Sequence, residues 1–364
     1  MANNIPYEII TLDTASPNKP QSKVMLIYTG GTFGMGQDEK GRLVPFDFRE
    51  LLIKAPTLGK FSLEVTIVAF KNPIDSSDIT PNHWTELGEI INKYYEEHDG
   101  FVILHGTDTM AYTSSALSFV LQGLNKPVVL TGAQLPITAV RTDALENLVT
   151  ALEIASSKNS KGEPIVAEVC VNFDNRLIRG NRAQKVQSNK FDAFNSANYP
   201  VLANSGIEIE YNHAYIHPYD ASRRLTLDCK WEQRVAIVKI FPGISKEVLS
   251  PIFNNPELKG IVLETFGSGN IMDNKWITEV IKNAISREVV ILNVSQCMGG
   301  EVIQGKYKAS ENLFENGVVN GYDLTTEAAI TKLMFVLGKG ESYNNAIQEL
   351  ITPISGEMTI RDHN

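Results

Sequence analysis

The feature that most constrains this chain is a device it uses twice, a short apolar run that stops abruptly at glycine and threonine. Val24–Tyr28 is apolar or aromatic throughout and runs into Thr29-Gly30-Gly31-Thr32. Phe101–His105 runs in the same way into Gly106-Thr107-Asp108-Thr109. Such runs read as buried strands entering sharp turns. A hydroxyl at the tip of a rigid strand, beside glycines that let a small molecule approach, is a place for a nucleophile. For either segment alone, a glycine-rich loop that only turns the chain is the alternative.

The segments between supply the partners of these strands. Leu63–Phe70 is a further β-rich run, closed by the turn-forming KNPIDSSDITP, Pro127–Thr131 is another, and Ile165–Phe173 closes the set of strands. His83–Tyr95 has apolar side chains at helical spacing (Trp84, Leu87, Ile90, Ile91, Tyr94). A second helix is predicted from near Thr109, with Met110, Thr113, Leu117, Val120 and Leu124, and a third over Ala144–Ala155. Strands alternating with helices, each strand mostly apolar, predict a parallel sheet covered on both faces. The rhythm lapses near residue 205 and resumes from Val235 with VAIVKIFPG, GIVLETFGSGN and VVILNVSQC, followed by helical patterns over Thr325–Leu337 and Asn344–Ile351.

The expectation is therefore an α/β chain of two domains, with a larger N-terminal parallel-sheet domain and a smaller α/β C-terminal one. The boundaries expected are a polar leader over 1–22, a first domain over 23–208, a linker over 209–232 and a second domain over 233–364. Met35–Pro45, charged and glycine-bearing, reads as a mobile flap beside the first turn.

The net charge of −9 argues against a nucleic-acid partner, which needs a concentrated positive surface. Three scattered cysteines, Cys170, Cys229 and Cys297, suit a reducing compartment rather than a disulfide framework. No apolar run approaches the length of a membrane span, and the N-terminus lacks the pattern of a secretory signal. A cytoplasmic protein with no membrane partner is expected. His213 and His217 have metal-like spacing but no accompanying carboxylate base, so they read as structural or solvent-facing and no metal is expected. Gly267-Ser268-Gly269 falls short of a nucleophile elbow, and the glycines after Gly31 do not have dinucleotide-fingerprint spacing.

In open parallel sheets ligands bind beyond the carboxyl ends of the strands. Those ends carry Thr29-Gly-Gly-Thr32, Asp75-Ser76-Ser77-Asp78 and Gly106-Thr107-Asp108-Thr109. A helix cap explains Asp108 or Thr109 taken singly. It does not explain hydroxyls and carboxylates at three successive strand ends.

TGGTFGM at Thr29–Met35 and HGTDTMAYTSSAL at His105–Leu117 resemble the two signature segments of the L-asparaginase family. DSSD at Asp75–Asp78, LTGAQLP at Leu130–Pro136, RGNRAQK at Arg179–Lys185 and GYDLTTEAA at Gly321–Ala329 extend the resemblance to nearly the whole chain. Within the family it resembles the cytosolic bacterial type I branch. The resemblance implies hydrolysis of L-asparagine to L-aspartate and ammonia without a metal or organic cofactor, in a homodimer or homotetramer. It implies Thr32 as nucleophile, with Thr107, Lys185 and Asp108 as a second cluster. Asp75, Ser76, Ser77, Thr107 and Asp108 would hold the α-carboxylate and α-ammonium of the substrate. Taken by itself, Lys185 reads as a surface cation in a basic loop with Arg176, Arg179 and Arg182.

Two departures from the family pattern stand out. Several relatives place a tyrosine in the flap, yet residues 33–46 contain none, and Tyr307 is the expected substitute. Members regulated by asparagine at a separate site carry a threonine before the lysine and an arginine after a second-domain strand. Gln184 and Glu264 occupy those places and only Cys297 of the set is kept, so little allosteric control is expected. Broad activity on asparagine and glutamine, an ammonia-supplying subunit of tRNA-dependent amidation and a non-catalytic amino-acid-binding module are the competing readings. The short leader counts against the second, and retention of both threonines against the third.

Overall fold

The structure is a computed structural model that describes residues 7–14, 19–37, 43–45, 62–303, 305 and 308–361. The chain divides into two compact units, Met1–Ser196 with Pro200–Asp228 and Ala197–Tyr199 with Cys229–Asn364. Each is a sheet with helices.

The first unit is built on a nine-stranded sheet. In chain order its strands are β1 (Tyr7–Asp13), β2 (Ser22–Gly30), β3 (Leu63–Ile74), β4 (Gly100–Leu104), β5 (Val128–Thr131), β6 (Val169–Phe173), β7 (Arg176–Arg179), β8 (Ala203–Ser205) and β9 (Ile209–Tyr211). Across the sheet they lie in the order β1-β3-β2-β4-β5-β6-β7-β8-β9. The centre, from β3 to β6, is parallel. Both margins are antiparallel, β1 on β3 at one side and β7, β8 and β9 in succession at the other. The sheet is thus mixed rather than purely parallel. The central strands match the expectation for burial on both faces: every residue of β4, β5 and β6 is buried.

Three segments differ from the sequence reading. Tyr7–Asp13, in the expected leader, is an edge strand registered from Tyr7 opposite Phe70 to Asp13 opposite Glu64. None of its residues is fully buried, so it lacks the apolar run that marks an inner strand. Ile209–Tyr211, in the expected linker, pairs with β8 and belongs to the sheet. Ile165–Phe173 does not close the sheet, because β7 turns back on β6 through Asp174 and Asn175, both at positive φ.

Helices connect the parallel strands. α1 (Pro81–Tyr94) follows Thr80, which shares a capping box with His83, and has proline in its first turn. α2 (Met110–Val120) follows β4 and is buried at almost every position, which is why its apolar residues show little one-sidedness. α3 (Ala144–Ser156) lies between β5 and β6.

The second unit has four parallel strands in sequence order, β10 (Val235–Lys239), β11 (Gly260–Thr265), β12 (Val290–Ser295) and β13 (Val319–Asn320). Its helices are α4 (Lys246–Phe253), α5 (Lys275–Ile285), α6 (Lys308–Glu315), α7 (Thr326–Gly338) and α8 (Tyr343–Leu350). Ile240, Leu249, Phe253, Ile261, Leu263, Ile281 and Ile291 form its core. Among the described residues no helix is long and apolar enough to cross a membrane.

Candidate active site

The strand order places a switch point at β2. The chain leaves β2 for β3 on one side, then crosses through α1 to β4 on the other. A crevice forms where successive connections diverge, beyond the carboxyl ends of the strands. The segments at that place are Gly30-Gly31-Thr32, Asp75-Ser76-Ser77 and Gly106-Thr107-Asp108.

These segments are in close contact. Gly31 has φ +82°, and a Cβ there would lie 2.6 Å from the Gly106 Cα. A Cβ on Gly106 would in turn lie 2.6 Å from the Ser76 hydroxyl. Any side chain at either glycine would push the strand ends apart, so the residue type is required by approach and, at Gly31, also by φ. Thr32 and Thr107, each following one of these glycines, leave from one junction. Thr109 donates from its hydroxyl to the Ser76 carbonyl at 2.6 Å, and buried Thr29 donates to the Leu104 carbonyl at 3.0 Å. Hydroxyls thus tie the β2, β3 and β4 ends together as well as line them.

Lys185 reaches this junction from β-bridged Gln184–Lys185, which pairs with Phe194–Asn195. Its ammonium donates to Thr107 Oγ1 at 2.7 Å and to Asp108 Oδ1 at 2.6 Å. The lysine side chain is 16% exposed and the aspartate 68%, so the lysine is sheltered and the aspartate is open to solvent. The preceding turn, Gly180–Arg182, is locked onto α2 by Ser114, whose hydroxyl donates to the Gly180 carbonyl at 2.8 Å. The basic loop suggested by the sequence does not exist as a solvated feature. Arg182 is buried, and Arg179 is buried against Glu168 with Nε to Oε2 at 2.5 Å.

At the β3 end, Asp75 Oδ1 accepts from the Ser77 backbone N–H at 3.0 Å and from its hydroxyl at 2.9 Å. The backbone bond first and the hydroxyl second hold the carboxyl below its ordinary range. Asp75 therefore stays a carboxylate, while Ser76 is buried between the strand ends. Phe33, beside Thr32, is wholly buried and accepts from Ile137 N at 3.4 Å. The loop bearing Ile137 is organised by Asp143, which accepts from Gln134 N and Leu135 N, and by Asn147, which donates to the Gly132 carbonyl at 3.0 Å.

The structure brings Thr107, Asp108 and Lys185 into direct contact, with Asp75, Ser76, Ser77 and Thr32 at the adjoining strand ends. Tyr307 lies outside the described residues, as do residues 38–42 of the expected flap, whose flanks Met35–Gln37 and Leu43–Pro45 pair as a short ribbon. His213 is exposed and His217 lies 4.0 Å from Glu168. Among the described residues no group of three His, Cys, Asp or Glu side chains is placed to hold a metal. Glu264, on β11, accepts from the Thr326 hydroxyl at 2.5 Å and lies 3.5 Å from Lys239.

The sequence reading missed what lies under the site. His105 is buried, with Nδ1 2.7 Å from the Gly106 carbonyl and Nε2 2.9 Å from the Thr113 hydroxyl. Burial above all pushes its imidazole down to about 4, so it is neutral at physiological pH. Its position within the HGTDT segment was the only signal available.

Comparison with known proteins follows the same lines. Residues 23–217 match the model "Asparaginase, N-terminal" and residues 234–351 the "Glutaminase/Asparaginase C-terminal domain". L-asparaginase 1 of Escherichia coli K12 is 37% identical over 344 residues, 94% of this chain and 99% of that protein. The crystal structure of L-asparaginase I from Vibrio cholerae superposes with a TM-score of 0.84 at 36% identity, covering 93% of this chain and 99% of that one. The thermostable L-asparaginase from Thermococcus kodakarensis gives a TM-score of 0.84 at 34% identity, covering 93% and 100%. With both halves matched in order and the fold shared end to end, this chain belongs to the asparaginase family.

Proposed function

We propose that this chain hydrolyses L-asparagine to L-aspartate and ammonia through an acyl-enzyme on Thr32. The observation that carries the reading is the contact of Lys185 Nζ with Thr107 Oγ1 and Asp108 Oδ1 at the junction of the strand ends. The Thr32 oxygen adds to the side-chain amide carbon as its hydroxyl proton is relayed, through Thr107, to the amide nitrogen, and collapse of the tetrahedral adduct expels that nitrogen as ammonia. Water then cleaves the ester and returns the proton to Thr32. Thr107 accepts a hydrogen bond from the Lys185 ammonium, so its own proton is free to be donated, and a hydroxyl held by a cation is a better proton donor. Asp75 and Asp108, both exposed carboxylates, suit an α-ammonium, and the Ser76 hydroxyl suits an α-carboxylate, with Ser77 holding the Asp75 carboxylate in place through its N–H and hydroxyl.

Tyr307 is the proposed further hydroxyl at the nucleophile, and an unchanged rate in Tyr307→Phe would remove it. Glu264 is already paired with Thr326 and Lys239, which supports little allosteric control; a sigmoidal dependence of rate on asparagine would contradict this. A homodimer or homotetramer in the cytoplasm, without nucleic acid or membrane, completes the reading, and sedimentation velocity tests the assembly. Ammonia release from L-asparagine and from L-glutamine, measured side by side, tests the reaction. One methylene changes selectivity by about 1–3 kcal/mol, so some glutamine turnover is compatible, and binding of asparagine without ammonia release would overturn the reading.

A further inference from the structure

A chain of hydrogen bonds with a single allowed proton order runs from the first helix to the base of the site. Trp84 on α1 donates from Nε1 to Thr113 Oγ1 on α2 at 3.1 Å. Thr113 Oγ1 lies 2.9 Å from His105 Nε2, and His105 Nδ1 lies 2.7 Å from the carbonyl oxygen of Gly106. All three side chains are buried, at 6%, 0% and 1% exposure.

The protons can be assigned by elimination. A carbonyl only accepts, so Nδ1 carries the proton. An indole N–H only donates, so the Thr113 oxygen receives it and directs its own proton to Nε2, which accepts. Each donor meets an acceptor, and the order holds only for a neutral imidazole with its proton on Nδ1. The opposite tautomer would set a bare Nδ1 lone pair against the Gly106 carbonyl oxygen in a buried place, which is costly.

The far end of this chain is one peptide bond from the proposed chemistry. Gly106 C=O and Thr107 N–H belong to one planar trans unit. Holding the carbonyl down toward the imidazole turns the Thr107 N–H away from it and fixes where the Thr107 Cα begins. Gly106 lies in a tight junction, where a Cβ added at Gly31 would come within 2.6 Å of the Gly106 Cα and one added at Gly106 within 2.6 Å of the Ser76 hydroxyl.

We propose that His105, held as the neutral Nδ1–H tautomer by Trp84 and Thr113, is a positioning residue that sets the Gly106–Thr107 peptide and so aims the Thr107 hydroxyl at Lys185. The role rests on the reaction proposed above. A buried histidine that merely filled space would be replaceable by any side chain of similar volume, and its two nitrogens would be interchangeable in effect.

The test separates the two nitrogens. An asparagine amide nitrogen sits at about the Nδ1 position and a glutamine amide nitrogen at about the Nε2 position. His105→Asn is expected to keep kcat within about threefold, and His105→Gln to lose roughly 10–100-fold in kcat with KM within about twofold, the scale of a misaimed catalytic group. Thr113→Val, which keeps the imidazole and removes its proton donor, is expected to lower kcat, with Thr113→Ser restoring it. Nitrogen-15 NMR of the wild-type histidines should show His105 protonated on Nδ1 and bare at Nε2 at neutral pH. An unchanged kcat in a folded His105→Gln chain, equal loss in both His105 variants, or an Nε2–H tautomer would overturn the proposal. If wild-type protein releases no ammonia from asparagine, the underlying reaction fails instead, and that is known before any variant is made.

Discussion

Lys185 donates to the Thr107 hydroxyl at 2.7 Å from 78 residues further along the chain. The ammonium also donates to Asp108 Oδ1, and the Gly180–Arg182 turn that precedes its strand is hydrogen-bonded to α2 through Ser114. An ammonium between a hydroxyl and a carboxylate stabilises negative charge on the hydroxyl oxygen, which is what a proton donor needs as it fires.

Replacing this cation should therefore act on the rate. Lys185→Met is expected to lower kcat by roughly 10²–10⁴-fold, the range of a positioned acid or base, with little change in melting temperature. Lys185→Arg should recover little, because a planar fork cannot take the place of a compact ammonium. Steady-state kinetics on asparagine checks both, and near-normal turnover in Lys185→Met would remove the residue from the mechanism.

The acid side of the pH profile is expected to depend on Ser77. Its backbone N–H and hydroxyl hold the Asp75 carboxyl below its ordinary range. A carboxyl so lowered in the folded chain contributes its charge above the ordinary value and loses it only as pH falls through the lowered one. Ser77→Ala removes the hydroxyl and keeps the N–H. The acid limb of kcat/KM should move to higher pH while the alkaline limb stays. An unmoved acid limb would mean that Asp75 does not hold the substrate.

The second unit contains a buried ion pair whose loss should be felt in stability. Lys332 on α7 and Glu357 are both 0% exposed, with Nζ 2.7 Å from Oε1. The ammonium also donates to the carbonyls of Leu350 and Thr352, and the carboxylate accepts from Ile354 N and Ser355 N. This ties the segment after α8 to the helix. Lys332→Met strands a carboxylate in the interior and should cost about 3–5 kcal/mol. Adding Glu357→Gln should recover part of that, because the uncompensated charge is gone. Urea denaturation of the wild-type, single and double variants checks this, and additive losses would contradict it.

How much of this could be read in the residues depended on the range of the forces involved. β2, β4 and β5 were legible because wholly apolar runs ending in glycine have few alternatives, and α3 was legible from Leu145, Leu148 and Leu152 on one stripe. β1 was not, since Tyr7–Asp13 is half-exposed and alternates weakly. β8 and β9, of three residues each, are too short to carry a period. Thr32, Thr107 and Lys185 were named through family resemblance, whereas the bond that ties the turn before Lys185 to α2 joins Ser114 and Gly180, 66 residues apart. The Trp84–Thr113–His105 chain was illegible for the same reason. His105 and Thr113 lie in one signature segment but Trp84 lies outside it, and only the packing of α1 against α2 brings the indole to Thr113.

The central claim is that hydroxyls from the ends of β2 and β4 act on one small amide. Ammonia release from L-asparagine by wild-type, Thr32→Ala and Thr107→Val proteins, each shown to be folded, tests it most directly. The account predicts steady release by the wild type and loss of at least about 10²-fold in each variant. Undiminished release by folded Thr32→Ala would contradict it.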